Sequence, residues 1–143
     1  MSVKVFTLAE ANRTLPLVTR VVRDIVDEHP RWRELVAEYE VAALAGHPDR
    51  GESQEQQRLR TEIDQVARRI DGYVRELDEI GCHLKSYEDG TVDFYSRYQN
   101  RLVFLCWRLG EDAISQWHEL EGGFAGRQAT APDFEAEPVG WLS

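Results

Sequence analysis

Groups able to do chemistry are concentrated in residues 101–127, RLVFLCWRLGEDAISQWHELEGGFAGR, which hold Cys106, Glu111, His118, Glu121 and Arg127, with Asp93 shortly before them. Imidazole combined with carboxylates is a ligand set for Zn, Mn or Fe. His118 with Glu111, Asp93 and Glu121 is therefore the candidate set for a divalent metal. Which carboxylates join it depends on local structure. On a helix Glu111, His118 and Glu121 share a face, whereas on a strand His118 meets Asp93 from a neighbouring strand. The alternative is a histidine hydrogen-bonded beneath a sheet, orienting a turn. Residues 122–127, GGFAGR, offer flexible backbone amides followed by a guanidinium, which makes Arg127 the candidate for holding a small anion or a cofactor group. They match no phosphate-binding fingerprint, and a tight turn is the simpler reading.

The other reactive types carry less. Cys106 stands in an apolar run of Leu, Val, Phe and Trp and is read as a packing residue rather than a nucleophile. Cys82 and His83 are adjacent, but neighbours on a strand point to opposite faces and so rarely share a metal. Asp93 interrupts a strand between Val92 and Phe94 and needs a partner, for which Arg101, Arg108 and Arg127 are available in an ion pair, with metal ligation the second reading. His29 lies on an apolar helical stripe as a seam residue; facing Glu76 or Glu79 it would form a metal or pH-sensing pair. No serine sits in a nucleophile elbow, and no nucleotide or flavin motif is present.

Composition narrows the partners. Asp plus Glu number 26 against 17 Lys plus Arg, a formal charge of −9, and the arginines are scattered among the carboxylates, which argues against nucleic acid and anionic membranes. The longest apolar run, 102–107, is far shorter than the roughly 20 residues of a spanning helix. The N-terminus has no apolar signal region. A cytoplasmic, bacterial-type protein with two reduced thiols is the expectation.

The elements that must position these residues follow from periodicity. Thr7-Leu8-Ala9-Glu10 has the form of a capping box and should start a helix, with residues 3–6 packing or pairing as a short strand before it. Pro16 predicts a kink or break near Thr14, and Pro30 a second bend. Val18, Val22, Ile25, Trp32, Val36 and Tyr39 recur at steps that gather them on one stripe until the turn formers at 46–51. A second helix runs from about Ser53 to Ile80, with Leu59, Ile63, Val66, Ile70, Tyr73, Leu77 and Ile80 as a heptad seam and Gly81 as its stop. Residues 82–87, 91–96 and 101–107 read as a three-stranded antiparallel meander turning at 88–90 and 98–100. Residues 113–119 form a fourth strand or a short helix, the strand being preferred because it follows a tight turn.

Taken in order, FTLAEAN with LP just after it, two long helices, GTVDF, RLVFLCWRLGE and WHELEGGFAGR resemble a bacterial family known as domain of unknown function 2203, over roughly residues 6–127. The resemblance implies a small cytosolic α+β protein and brings no activity with it. It also implies Asp after Lys85, where this chain has Ser86; were that Asp a ligand in relatives, the site here would be altered.

The expected fold is α+β: a long antiparallel helical hairpin (7–80) packed on a small three- or four-stranded antiparallel sheet (82–119), a Gly-rich turn (120–127), and an acidic extended tail (128–143) pinned by Phe134 or Trp141. A two-helix hairpin leaves apolar stripe uncovered, so a homodimer with a four-helix arrangement is expected. The expected function is metal binding or assembly through a His/carboxylate site, with a metal-dependent, hydrolase-like enzyme using the same residues as the alternative.

Overall fold

The computed structural model describes residues 3–135. Helix α1, Leu8–Leu44, begins at the expected capping box: Thr7 Oγ1 accepts from the Glu10 amide at 3.0 Å, and Glu10 Oε1 accepts from the Thr7 amide at 2.9 Å. It then runs 37 residues without interruption, carrying Pro16 and Pro30 inside it, so of the kink or break expected near Thr14 the break does not occur. The reason is packing. A proline in a helix interior costs about 3 kcal/mol, while Leu15, Val18, Val21, Val22 and Ile25 are all buried, and each stabilises the helix by about 1.5–3 kcal/mol.

Helix α2, Gln54–Ile80, opens on a second capping box between Ser53 and Gln56 and stops at Gly81, whose φ of 110° needs a residue without Cβ. All seven residues of the expected seam are buried or half-buried. The helices are antiparallel: Glu28 of α1 binds Arg69 of α2, while Arg31, further along α1, binds Glu62, earlier in α2.

The sheet has five strands rather than three or four: β1 Cys82–Leu84, β2 Thr91–Tyr98, β3 Arg101–Arg108, β4 Gln116–Glu119 and β5 Gln128–Ala129. Their spatial order is their order in sequence, and every pair is antiparallel. The ambiguous segment before Glu119 is thus a strand. Phe6 adds a single parallel bridge to Ser96 beyond the end of β1, with its amide donating to the Tyr95 carbonyl at 2.8 Å. Gln99 and Asn100, at φ 51° and 62°, make the tight β2–β3 turn. The fifth strand comes from the segment expected to be a tail. Through Glu135 that segment is part of the fold: it pairs with β4 and buries Phe134 against Tyr98 and Trp117. Trp141 lies outside the described residues.

Alternation along the strands separates two faces. Cys82, Val92, Phe94, Val103, Leu105, Trp107 and Trp117 join the helix residues in one core. Asp93, Tyr95, Phe104, Cys106 and His118 point the other way, as the register requires: Asp93 pairs with Cys106, and Phe104 with both Tyr95 and His118. Among the described residues no helix is long and apolar enough to cross a membrane.

Candidate functional site

A sheet with helices on one face ordinarily turns polar, hydrated side chains outward on the other. Here Asp93, Cys106 and His118 occupy that outer face and yet are 3%, 0% and 2% exposed. Three consecutive strands supply them, and their ligand-type atoms all lie within 4.8 Å of one another. The residues after β4 cover them. Gly122 and Gly123 let the chain reverse, Gly123 with φ 59°, and a single 3₁₀ turn, Phe124–Gly126, follows. Arg127 ties this strap down: its Nη2 donates at 2.8 Å to each oxygen of Glu111 and at 3.4 Å to the Cys106 carbonyl, while its guanidinium lies 4.5 Å from the centre of the Phe124 ring.

The hydrogen bonds of His118 fix its tautomer. Nδ1 lies 2.7 Å from the Glu119 carbonyl oxygen, which can only accept, so Nδ1 carries a proton. Nε2 then faces Asp93 Oδ1 at 3.2 Å. In a neutral imidazole that nitrogen is an acceptor, and so is a carboxylate oxygen. Two buried acceptors at this distance require a proton or a cation between them.

The separation fits a hydrogen bond through a proton and also a shared cation. Bond lengths of about 2.0–2.2 Å from zinc to nitrogen and oxygen place two ligand atoms of a tetrahedron about 3.3 Å apart. Cys106 Sγ is the third ligand-type atom of the group, all three lying within 4.8 Å of one another. Burial, followed by the neighbouring Asp93 carboxylate, pushes its thiol up to about 12, so without an ion it stays protonated and is no nucleophile. A catalytic triad is excluded on orientation as well: there the carboxylate binds the histidine nitrogen remote from the nucleophile, whereas here Nδ1 is taken by a backbone carbonyl. That same bond is the usual support for a metal-binding histidine.

One side of the group is open. A cleft of about 270 Å³ is lined by Lys85, Thr91, Asp93, Phe104, His118, Leu120, Glu121, Gly123 and Phe124. Asp93 and His118 are among its lining residues, and Cys106 is not.

Comparison with known proteins bears on the whole domain. The family model for uncharacterised conserved proteins called DUF2203 matches residues 4–130 of the chain. The chain belongs to this family. Comparison with curated proteins gives no match. Comparison with solved structures gives none either.

In this DUF2203 domain the residues singled out by sequence separate into two sets. His118 and Asp93 come together on neighbouring parts of the outer face, and Glu121 stands on the cleft wall beside them. Glu111 goes elsewhere: its carboxylate is held by Arg127 and by the Arg108 amide at 2.8 Å. Arg127 is accordingly engaged with a protein carboxylate. The ion pair expected of Asp93 with Arg101, Arg108 or Arg127 is replaced by His118, since Arg101 binds Glu119 instead. Cys106, read from sequence as packing only, is the third member of the group. The signal that would have found it is the tight turn at Gln99-Asn100: pairing Tyr98 with Arg101 and counting back along both strands sets Cys106 opposite Asp93. Among the described residues His29 forms no ion pair with Glu76 or Glu79; its ring stacks with those of Trp32 and Tyr87, centres 6.0 and 5.4 Å away.

Proposed function

We propose that this protein binds a divalent metal ion, zinc above all, through Asp93, Cys106 and His118. The observation that carries the reading is the 3.2 Å approach of His118 Nε2 to Asp93 Oδ1 with Nδ1 already committed to the Glu119 carbonyl. A sulfur, a nitrogen and an oxygen form a mixed set that zinc accepts in tetrahedral geometry. The thiol proton leaves as the ion binds, because the thiolate is the ligand. Metal analysis of the full chain purified without chelator tests the reading, repeated on His118→Ala and Cys106→Ser. About one equivalent in the parent and a large loss in both variants is expected. Equal metal content in parent and His118→Ala removes His118 from the site. Cobalt substitution adds a second readout, since a thiolate-to-cobalt absorption band should be present in the parent and absent in Cys106→Ser.

A metal-dependent, hydrolase-like enzyme is the second reading, favoured by the cleft. An ion with three protein ligands and an open side retains a position for water, as catalytic zinc sites do. Glu121, on the cleft wall, is then the carboxylate available as base. Self-association through the helices also belongs to the proposal: Val41 and Leu44 are 66% and 87% exposed near the end of α1. A monomer by sizing with light scattering at micromolar concentration removes it.

A further inference from the structure

Where the helical hairpin meets the β1–β2 turn, a second cleft of about 280 Å³ is lined by His29 and Trp32 of α1, Ala67, Ile70 and Asp71 of α2, and Tyr87 of the turn. It shares no residue with the group at Asp93, Cys106 and His118. His29 and Trp32 stand three residues apart and so share a helix face. That face is not sealed: both residues are only half-buried, and Tyr87 is 42% exposed. The rings of Trp32 and Tyr87 lie within 20° and 24° of the plane of His29, their centres 6.0 and 5.4 Å from its own. A flat guest slotted between two such rings would need them about 7 Å apart, twice a contact distance of about 3.5 Å. A guest therefore lies against the row of rings from the cleft side, not within it.

The charge of the lining selects the sign of the guest. Asp71 is the one lining residue whose side chain is ordinarily ionised at neutral pH. The guanidinium groups next in sequence to the lining residues are already matched, Arg31 by Glu34 and Glu62, Arg33 by Glu88, and Arg69 by Glu28. Arg68 and Arg75, three and four residues from Asp71 along α2, do not line the cleft, and no ion pair among the described residues joins either to Asp71. Aromatic faces are electron-rich and attract organic cations, indole most of all. Rings and carboxylate thus favour the same charge, and the Ile70 and Ala67 side chains favour a guest with apolar substituents.

We propose that this cleft binds a small organic cation with a methylated ammonium head, its methyl groups against Trp32, His29 and Tyr87 and its charge beside Asp71. No metal is needed, so this inference stands or falls apart from the metal-binding reading.

The experiment titrates the full chain with choline and with 3,3-dimethylbutan-1-ol, which has the same shape and no charge, at about pH 8, above the ordinary range of imidazole. Binding is followed by the proton NMR signal of the ligand methyl groups. Expected are saturation by choline by about 10 mM, an upfield displacement of its methyl signal because those protons lie over ring faces, and binding of the neutral alcohol at least about fivefold weaker. Asp71→Asn and Tyr87→Leu alter exposed side chains and keep the core; each should weaken choline binding at least about threefold. Absence of saturation, equal binding of the alcohol, or unchanged affinity in either variant overturns the inference. Choline also heads a membrane lipid, so sedimentation with phosphatidylcholine vesicles is run beside the titration. Vesicle binding that Tyr87→Leu abolishes, with no saturation by free choline, overturns the assignment to a free solute.

Discussion

Nε2 of His118 meets Oδ1 of Asp93 at 3.2 Å while Nδ1 of the same ring donates to the Glu119 carbonyl, so the contact joins two acceptors and is completed only by a proton or a cation. Asp93→Asn alters that contact in a telling way. The amide nitrogen of Asn donates to Nε2 directly, so the metal-free variant should be at least as stable as the metal-free parent, by up to about 1–2 kcal/mol. It lacks the anionic ligand, and zinc affinity should fall at least about tenfold. Denaturant midpoints and competitive zinc titration measure the two effects. A metal-free variant less stable than its parent would show that a proton held between Asp93 and His118 already completes the contact without metal.

Metal uptake should release protons. The Cys106 thiol, pushed up to about 12 by burial, is protonated at neutral pH and must lose its proton to bind the ion. Between about pH 7 and 9 zinc affinity should rise about tenfold per pH unit from this thiol alone. Calorimetry in two buffers of different ionisation enthalpy counts the protons. Cys106→Ser should lower the slope by the thiol's share, and an unchanged slope would place the released proton elsewhere.

Both cysteines also make stability fall in alkali. Burial raises Cys82 and Cys106 to about 12 from a reference of 9.0. The folded protein therefore holds these protons after the unfolded chain has lost them. Their contribution is complete below about pH 9 and disappears as pH rises towards 12. Chemical denaturation of the metal-free protein at about pH 8 and pH 10 should show the loss, and Cys82→Ala should flatten the dependence relative to its own value at the lower pH.

The strap over the group depends on Arg127. Its ion pair with Glu111 is largely shielded, the two side chains being 13% and 34% exposed. Arg127→Met should cost about 1–2 kcal/mol. Amide hydrogen exchange should quicken through residues 121–126 more than in the helices, and uniform quickening over the whole chain would indicate a general loss of stability instead.

Gly90 is a stricter case. Its φ is 74°, and an added Cβ would lie 2.7 Å from Val22 Cγ1 on α1 and 3.0 Å from Leu109 Cβ. Gly90→Ala combines left-handed backbone strain with a clash in the core and should cost at least about 2 kcal/mol, read from the denaturant midpoint. A near-neutral result would mean that α1 moves easily relative to the β1–β2 turn.

The helices and most of the sheet were legible because local rules govern them. Thr7 and Ser53 announce helix starts through side chains that act within three residues, and the seam from Leu59 to Ile80 repeats at a spacing only a packed helix satisfies. What misled were features decided at a distance. Pro16 argues for a break by local rules, but burial of Leu15 and Val18 outweighs it. Gln128–Ala129 has no strand signature of its own and becomes a strand because β4 offers an unpaired edge. Cys106 resembles its apolar neighbours, and its meaning comes from Asp93 across the hairpin. Glu111 was close to His118 in sequence, yet the turn after β3 carries it to Arg127.

The alternation of β2 has a practical consequence. Val92, Phe94 and Ser96 anchor the strand to the rest of the molecule, whereas Asp93, between Val92 and Phe94, points to the opposite face and lines the cleft with Glu121, Gly123 and Phe124. Foldability and chemistry are thus written on opposite sides of the same eight residues. Conservative exchanges at Asp93, Cys106 and His118 leave the core residues shared with the helices untouched, so the site can be altered without repacking the body beneath it.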